Sequence, residues 1–217
     1  MPIYTPGRYT ERMATGKFIV FEGGEGNGKT TQARLLAECL GALLTHEPGG
    51  TPLGLAIRQM CLNAPDVPAD RAMTMLMLAD RAQHVTELIL PTLHTGRHVV
   101  CDRFSGSTIA YQGYGDQLGC RDIQSMSRWA ASQLEPDLVL YLYVPPEQVQ
   151  VRMQHKHLDN IERRGPDYHA RVQAGFEAQA ATNTSWVTMD GTGTPRQVHE
   201  RILTVVSERL ELGLVAR

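Results

Sequence analysis

The sequence predicts an α/β fold of three layers, in which helices cover both faces of a five-stranded parallel sheet. Five short apolar runs have the length of buried strands, and the segments between them carry apolar residues at helical spacing. This alternation is typical of a parallel sheet covered on both faces. In such sheets, ligands bind beyond the carboxyl ends of the strands. The runs are residues 18–21, 43–45, 99–101, 138–144 and 186–189.

The helical patterns alternate with the strands, and two segments have no regular period. Residues 154–165 carry charges and two histidines without an apolar period, so we expect a short mobile lid between helices. Residues 1–16 are polar and contain glycine and proline, which predicts a flexible N-terminal extension. Residues 17–217 then form a single domain that includes the lid. The helical patterns are residues 31–40, 53–62, 71–93, 121–131, 146–153, 168–181 and 195–212.

Composition narrows the kind of partner that we expect. The chain has 217 residues, 42% of them hydrophobic, which is enough for one substantial core. A net charge of −2 argues against nucleic-acid binding and favours a small-molecule substrate. No run reaches the roughly 18 apolar residues that span a bilayer, and residues 1–16 lack the apolar centre of a signal peptide. We therefore expect a cytoplasmic protein with no membrane partner. Its cysteines are expected to be buried thiols; they are Cys39, Cys61, Cys101 and Cys120.

A glycine-rich segment between the first strand and the first helix matches the pattern G-x-x-x-x-G-K-[ST]. The glycines let the backbone turn tightly and point its N–H groups at a polyphosphate, and the helix adds its positive end. Lys29 would reach the β- and γ-phosphates, and the Thr30 hydroxyl would ligate Mg²⁺. The segment therefore predicts a nucleotide site with Mg²⁺. Its residues are Gly23, Gly24, Glu25, Gly26, Asn27, Gly28, Lys29, Thr30 and Thr31.

Charged residues at two further strand ends point into the same crevice. Asp102 follows the third run and can hold Mg²⁺ directly or through water. Arg103 can neutralise phosphate charge, because its guanidinium group matches phosphate oxygens in a bidentate way. The alternative for this pair is a surface ion pair. Glu25 would be costly beside an anion unless it contacts a hydroxyl or a metal. Glu47 opens a Pro-Gly-Gly turn after the second run and faces the crevice.

Four polar and aromatic residues after Arg103 recur at spacings of three and four, so they can share one face of a short helix. Hydroxyls, an amide and an aromatic ring suit a nucleoside, whereas a purely structural helix would carry apolar residues there. This face predicts a second nucleoside pocket. Its residues are Ser107, Thr108, Tyr111 and Gln112.

Four ordered motifs resemble those of thymidylate kinases, which are P-loop nucleoside monophosphate kinases. The resemblance covers about residues 17–212 and implies the P-loop NTPase fold, with transfer of the γ-phosphoryl group of ATP to dTMP. The dTDP that results serves dTTP synthesis. The family resemblance also implies a homodimer formed by helices near the acceptor site. The motifs are FEGGEGNGKTT at residues 21–31, EPGGT at 47–51, LADRAQH at 78–84 and DRFSGSTIAYQG at 102–113.

The resemblance also implies roles around the acceptor nucleotide. Glu25 matches a carboxylate near the sugar 3′-hydroxyl and can also reach the metal. Arg58 and Arg103 match arginines near the acceptor phosphate. Tyr111 is similar to a tyrosine that packs against the sugar and leaves no room for a 2′-hydroxyl, which selects deoxyribose.

The base-binding residues include one departure from the family. Arg81 matches the arginine that hydrogen-bonds the thymine ring, and Thr108 with Gln112 matches polar residues at the base and sugar. Met77 stands where thymidylate kinases usually carry a phenylalanine that stacks on thymine. Methionine is flexible and polarizable and still covers a base, but it gives up the aromatic plane. We expect a looser pocket that accepts 5-substituted or other pyrimidine deoxynucleotides beside dTMP.

The lid is the second departure. Related bacterial enzymes whose phosphate loop lacks a basic residue supply arginines from the lid, but this chain has Asn160 where arginine is expected. Another lid cation must then stabilise the transferring phosphoryl group. Lys29, Arg103, Glu25, Arg152 and Lys156 form the expected catalytic set. The candidates for the lid cation are Arg152, Lys156, Arg163 and Arg164.

Five histidines in or next to the helical patterns and the lid are expected at the surface. The two in the lid have no cysteine partner nearby, and Mg²⁺ prefers oxygen ligands. They therefore predict no metal site. They are His84, His94, His155, His157 and His169.

Two other functions stay open at this point. The first is a kinase for another or a 5-modified pyrimidine deoxynucleotide, which Met77 suggests. The second is a P-loop ATPase or switch module, against which the second nucleoside pocket argues. A nucleic-acid 5′-kinase fits the acidic pI of about 6.4 poorly.

Overall fold

The computed structural model describes residues 16–154 and 158–213. Within these residues, five strands form one parallel sheet in the order β2-β3-β1-β4-β5. Both the strand number and the parallel direction predicted from the sequence are confirmed. The strands are β1 (Phe18–Glu22), β2 (Leu43–His46), β3 (Val99–Asp102), β4 (Leu138–Tyr143) and β5 (Trp186–Asp190).

The helices connect the strands and cover the sheet. Three short π-helical segments, Gln59–Asn63, Val85–Ile89 and Ile109–Gly115, continue α2, α3 and α5. No described helix is long and apolar enough to cross a membrane. The helices are α1 (Lys29–Leu40), α2 (Pro52–Arg58), α3 (Asp70–His84), α4 (Leu90–His94), α5 (Ser105–Thr108), α6 (Cys120–Ala130), α7 (Pro146–Met153), α8 (Pro166–Thr182) and α9 (Pro195–Leu210).

Local sequence explains where several helices begin and end. Gly41 ends α1 in the left-handed conformation, with φ of 59°, which glycine adopts at little cost. Thr194 begins α9 with a capping box, in which its side chain and that of Gln197 satisfy each other's backbone N–H groups. The single helix expected at residues 71–93 is instead α3, a π-helical turn and α4. Pro91 explains this break, because it lacks the N–H that an α-helix needs.

Alternation along β1 divides the core into two layers. Ile19 and Phe21 face one side of the sheet, where they pack with residues of α1 and α9. Phe18 and Val20 face the other side and pack with Phe104 and the π-helical segment after α3. All five β1 side chains, Glu22 included, are buried because both faces of a parallel sheet are covered.

Some expectations of the sequence fall outside the described residues, and the expectation for the cysteines is wrong. The flexible extension lies almost wholly outside them, as do His155, Lys156 and His157 of the lid. The described part of the lid, residues 158–165, is irregular and lies between α7 and α8. The cysteines are all free, but only Cys61 and Cys101 are buried. Cys39 is exposed, because it lies on the solvent face of α1.

Candidate active site

The phosphate loop connects β1 to α1 at the carboxyl edge of the sheet. Gly23 has φ of 138°, and a Cβ there would lie 2.5 Å from the Leu142 carbonyl oxygen, so only glycine fits. Asn27 is buried, and its Nδ2 donates to the same oxygen at 2.8 Å. These contacts fix the loop against β4 and leave its turn open toward a ligand.

Lys29 begins α1 and is buried over the loop. Its Nζ donates to the Gly24 carbonyl at 2.6 Å. Burial, followed by the neighbouring charge of Arg103, lowers the Lys29 pKa to about 8. A polyphosphate in the loop would offer this amine oxygen acceptors and raise the pKa again.

Thr30 and Asp102 meet at the point where the loop and the end of β3 come together. The Thr30 hydroxyl donates to Asp102 Oδ2 at 2.5 Å. Asp102 Oδ1 is buried and has no hydrogen-bond partner among the described residues. A hydroxyl and a carboxylate with a spare oxygen are the ligands that Mg²⁺ takes in phosphate-loop enzymes, where most of its other ligands are phosphates and water. The residues present therefore fit the ion.

Arg103 contacts most of the elements around the site. Its backbone has φ of 73°, an uncommon conformation for a residue other than glycine, which turns the side chain back over the phosphate loop. The guanidinium group donates to the Gly23 carbonyl at 2.8 Å, to Ser107 Oγ at 3.1 Å and to the Tyr111 hydroxyl at 3.2 Å. It also forms an ion pair with Glu25. One cation therefore links the donor loop to the predicted acceptor face.

A buried ion-pair network lies under the other end of this face. Arg81 is 2% exposed, and its Nε and Nη2 donate to Glu47 Oε2 at 2.9 and 2.7 Å. Nη1 donates to Ser127 Oγ at 2.7 Å, and Nη2 also donates to Thr108 Oγ1 at 3.0 Å. These bonds use four of the five N–H groups of the guanidinium. Arg81 is thus held rigidly before any ligand arrives.

The expectation that His84 lies at the surface is wrong. Its ring is fully buried, with Nδ1 3.0 Å from Glu47 Oε1 and Nε2 2.7 Å from Thr45 Oγ1. Gly50 packs directly on it, since a Cβ there would lie 2.4 Å from the ring Nε2. His84 therefore packs against the turn of residues 47–50 from the interior of the protein and holds Glu47 by a hydrogen bond. Arg81, three positions earlier in α3, binds the other oxygen of the same carboxylate.

A cavity of about 420 Å³ opens between the phosphate loop and this network. Its size suits a nucleotide. Arg58 lines it and donates from Nη1 to the Pro48 carbonyl at 2.9 Å, and Met77 lines it from α3. The structure thus brings every predicted acceptor residue to the lining of one cavity. The predicted residues that line it are Glu25, Lys29, Thr30, Glu47, Arg58, Met77, Arg81, Asp102, Arg103, Ser107, Thr108, Tyr111 and Gln112.

The described lid residues differ in where they point. Asn160 turns away from the phosphate loop, and its backbone N–H donates to the Leu62 carbonyl and its Nδ2 to the Ala64 carbonyl, at 3.1 and 3.0 Å. Arg164 pairs with Asp116 at 2.5 Å and lies 4.0 Å from the centre of the Tyr168 ring. These contacts dock the turn of the lid against the end of α2 and against α8. Asn160 and Arg164 therefore have a structural role, since their side chains bind protein groups away from the phosphate loop.

Arg152 is the described lid-side cation that contacts the phosphate loop. Its Nη1 donates to the Gly26 carbonyl at 3.1 Å and its Nη2 to the Gly191 carbonyl at 3.2 Å. Met153, the next residue of α7, would lie 3.2 Å from a Cβ at Gly26. Helix α7 therefore packs on the donor side of the site.

Sequence reasoning assigned no role to two buried carboxylates here. Glu22, at the end of β1, bonds to the start of α5. Asp80 lines the cavity, accepts from the Gly49 N–H at 3.0 Å, and has a pKa that burial raises to about 6. Both lie inside motifs that the sequence analysis quoted. Only the assembled fold reveals their partners, which are 31 or more residues away.

Fold and site together define a P-loop nucleotide kinase. The family model "Thymidylate kinase" matches residues 21–202. The thymidylate kinase of Synechococcus sp. strain RCC307 is 42% identical over 92% of this chain and 99% of that protein. The thymidylate kinase of Prochlorococcus marinus strain MIT 9313 is 46% identical, over 89% and 91%. A crystal structure of thymidylate kinase from Ehrlichia chaffeensis superposes with a TM-score of 0.75 at 29% identity, covering 88% of this chain and 99% of that one.

The chain belongs to the thymidylate kinase family. The family and the enzyme class predicted from the sequence are therefore confirmed, as is the P-loop fold. The alternatives of an ATPase or switch module and of a kinase for a different nucleotide are not favoured by these similarities.

Proposed function

We propose that this chain transfers the γ-phosphoryl group of ATP directly to dTMP and releases dTDP. The proposal rests on the contacts of Arg103, which touches both the phosphate loop and the face that carries Ser107 and Tyr111. A direct transfer needs the donor and acceptor phosphates next to each other, and a cation between them neutralises their mutual repulsion. Little proton chemistry is required, so catalysis consists of positioning and charge neutralisation.

On the donor side, the phosphate loop binds the triphosphate of ATP through its N–H groups and Lys29. Thr30 and Asp102 would hold Mg²⁺, and the spare Asp102 Oδ1 supports this assignment. When bound, the ion would neutralise charge on the triphosphate. Arg152 bridges Gly26 and Gly191 and adds positive charge at the edge of the loop. We assign the role of lid cation to Arg152, together with Lys156. Asn160 makes a structural contact instead.

On the acceptor side, Arg58 and Arg103 bind the phosphate of dTMP. Glu25 lies against Arg103, from where it accepts a hydrogen bond from the sugar 3′-hydroxyl. The Tyr111 ring, which lines the cavity, packs on the sugar and leaves no room for a 2′-hydroxyl, the role that the family resemblance implies. These groups orient the acceptor phosphate for attack on the γ-phosphorus.

The base enters the inner end of the cavity, between Met77 and the polar face of Thr108 and Gln112. Arg81 keeps one N–H beyond its four bonds, and that N–H bonds the thymine ring. Because Glu47 and Ser127 fix the guanidinium, this interaction is preorganised and costs little side-chain entropy. Met77 covers the ring face.

We also propose a homodimer. Several large apolar side chains are exposed on α2, the segment after it, α3 and α6. Helix α3 packs against both α2 and α6, and exposed apolar side chains on adjoining helices are typical of an association surface. Light scattering at micromolar concentration measures the mass directly, and a monomeric mass would reject this assignment. The exposed residues are Leu53, Leu55, Met60, Met75 and Trp129.

The test of the proposed function is a panel of nucleoside monophosphates with ATP and Mg²⁺, analysed by separation of the nucleotide products. We expect dTDP and ADP in equal amounts from dTMP. Purine and ribose monophosphates should react poorly. ATP hydrolysis that ignores every monophosphate would contradict the proposal and indicate an ATPase.

A further inference from the structure

Glu22, the last residue of β1, is buried behind the site and does not line the 420 Å³ cavity. It is 1% exposed. Its Oε1 accepts from the backbone N–H groups of Phe104 and Ser107 at 3.0 and 2.9 Å, and its Oε2 accepts from the Ser107 hydroxyl at 2.6 Å. One carboxylate thus takes three hydrogen bonds from the segment that follows Arg103.

These bonds engage backbone N–H groups at the start of α5. The first N–H groups of a helix lack the usual partners within it, and no side chain of α5 itself forms a cap. The Ser107 N–H also donates to the Phe104 carbonyl at 3.1 Å, so Glu22 adds a second acceptor there. A carboxylate is also favoured at this positive end. Glu22 therefore anchors the amino end of the helix that leads into Thr108 and Tyr111.

The third bond extends this anchor to the cation of the site. The Ser107 hydroxyl donates to Glu22 and accepts from Arg103 Nη1 at 3.1 Å, so the three side chains form a chain of hydrogen bonds. A hydroxyl has one proton to donate. While that proton points at Glu22, the lone pairs of Ser107 face Arg103 and fix the direction of its guanidinium group.

We propose that Glu22 is a positioning residue for the acceptor nucleotide, because it holds the start of α5 and, through Ser107, the orientation of Arg103. This inference rests on the proposed function, since it takes Arg103 as a ligand of the dTMP phosphate. Glu22 itself touches neither nucleotide. Its loss should weaken the binding of dTMP and leave the binding of ATP nearly unchanged.

The protonation of Glu22 offers a second readout. Burial raises its pKa to about 7, while the bond from Ser107 and the charge of Arg103 lower it in part. A protonated Oε2 no longer accepts from Ser107, so the hydroxyl is free to turn. We expect dTMP binding to weaken as the pH falls below 7. The other titratable groups around Glu22 are Lys29, Cys101, Tyr141, Arg128 and Glu135.

The experiment measures the Kd of dTMP, and separately of a non-hydrolysable ATP analogue, by calorimetry at several pH values. The variants are Glu22→Gln, which keeps the size of the side chain, and Ser107→Ala, which removes the relay but keeps both backbone bonds to Glu22. Glu38→Gln, on the exposed face of α1, is the matched control. We expect a rise of about tenfold in the Kd of dTMP for both variants, less than twofold for the ATP analogue, and no change in the control.

The affinity of the double variant and the pH dependence of dTMP binding distinguish a positioning role of Glu22 from a general loss of structure. The double variant should bind dTMP about as weakly as either single one, because both break the same chain of bonds. The loss of affinity below pH 7 should shrink in Glu22→Gln, leaving the titration of dTMP itself. If Glu22→Gln does not fold, as judged by circular dichroism, Glu22→Asp replaces it, because the shorter side chain keeps the carboxylate but withdraws it from Ser107. A change below twofold for dTMP, or an equal change for the ATP analogue, overturns the inference. Wild-type protein that binds dTMP but forms no dTDP would contradict only the proposed function.

Discussion

The Thr30 hydroxyl donates to Asp102 Oδ2 at 2.5 Å, which joins the first turn of α1 to the carboxyl end of β3. The two residues are 72 positions apart in sequence. Their contact leaves Asp102 Oδ1 buried and unpaired within the described chain, a costly arrangement unless a cation completes it. Our first prediction follows from this oxygen.

Asp102→Asn should raise the Mg²⁺ concentration needed for half-maximal activity by about 10- to 100-fold, because an amide is a poorer ligand than a carboxylate. The measurement is a Mg²⁺ titration of dTDP formation at saturating ATP and dTMP. Asp122→Asn, on the exposed first turn of α6, should leave the titration unchanged. An unaltered Mg²⁺ requirement in Asp102→Asn would remove Asp102 from the metal site.

Binding of a nucleotide at pH 8.5 should be accompanied by proton uptake. The pKa of Lys29 is about 8 in the nucleotide-free protein, so the amine is mostly neutral at this pH. Phosphate oxygens favour the charged form and raise the pKa, so a proton is taken from solvent. Calorimetry of a non-hydrolysable ATP analogue in two buffers of different ionisation enthalpy measures this uptake. The proton uptake should vanish in Lys29→Met. Equal uptake in that variant would show that Lys29 is not the group that takes up the proton.

Met77→Phe should increase the preference of the enzyme for dTMP over other pyrimidine deoxynucleotides. Met77 is half-buried at the cavity wall and packs on the cluster of Ile57, Cys61 and Leu62. An aromatic ring adds a stacking interaction worth about 0.5 to 1.5 kcal/mol, so kcat/KM for dTMP should rise by roughly 2- to 12-fold. The comparison uses dTMP, dUMP and 5-hydroxymethyl-dUMP, with KM for ATP as the internal reference. A wild-type enzyme that accepts dTMP alone would contradict the looser pocket.

The lid arginines should separate into one that serves catalysis and one that serves structure. Arg152→Ala should lower kcat by about tenfold or more, since it removes positive charge beside the phosphate loop. Arg164→Ala should change kcat by less than threefold. It should destabilise the fold by about 1 kcal/mol, because it removes the Asp116 pair and the contact with the Tyr168 ring. Urea unfolding and initial rates on the same samples measure both. The reverse pattern would refute the assignment.

Glu22 should make the free energy of unfolding fall as the pH rises. Its pKa is 4.5 in the unfolded chain and about 7 in the fold, so between these values the native state binds more protons than the unfolded state. Stability due to this group is therefore greatest below pH 4.5 and is lost up to pH 7. From pH 5 to pH 8 the wild type should lose about 2 to 3 kcal/mol relative to Glu22→Gln. Parallel pH dependence of the two proteins would contradict this.

The sequence predicted the strands and the phosphate loop because both depend on local pattern. Apolar runs of three to seven residues and the glycines of the loop determine backbone conformation within a few positions. The three π-helical segments were not predicted; of these, Val85–Ile89 lies beside a proline, Pro91. The sequence also led to a wrong expectation for His84, which local pattern cannot distinguish from a solvated helix residue.

The sequence by itself therefore determined the α/β fold, the phosphate loop and membership of the thymidylate kinase family, because these are written in short ordered motifs. Only the tertiary structure decided which groups neutralise one another. Arg81 meets Glu47 and Ser127 from 34 and 46 positions away, and Glu22 reaches Ser107 across 85. Buried charges need partners of opposite sign or hydrogen bonds, and those partners are chosen by the packing of distant elements.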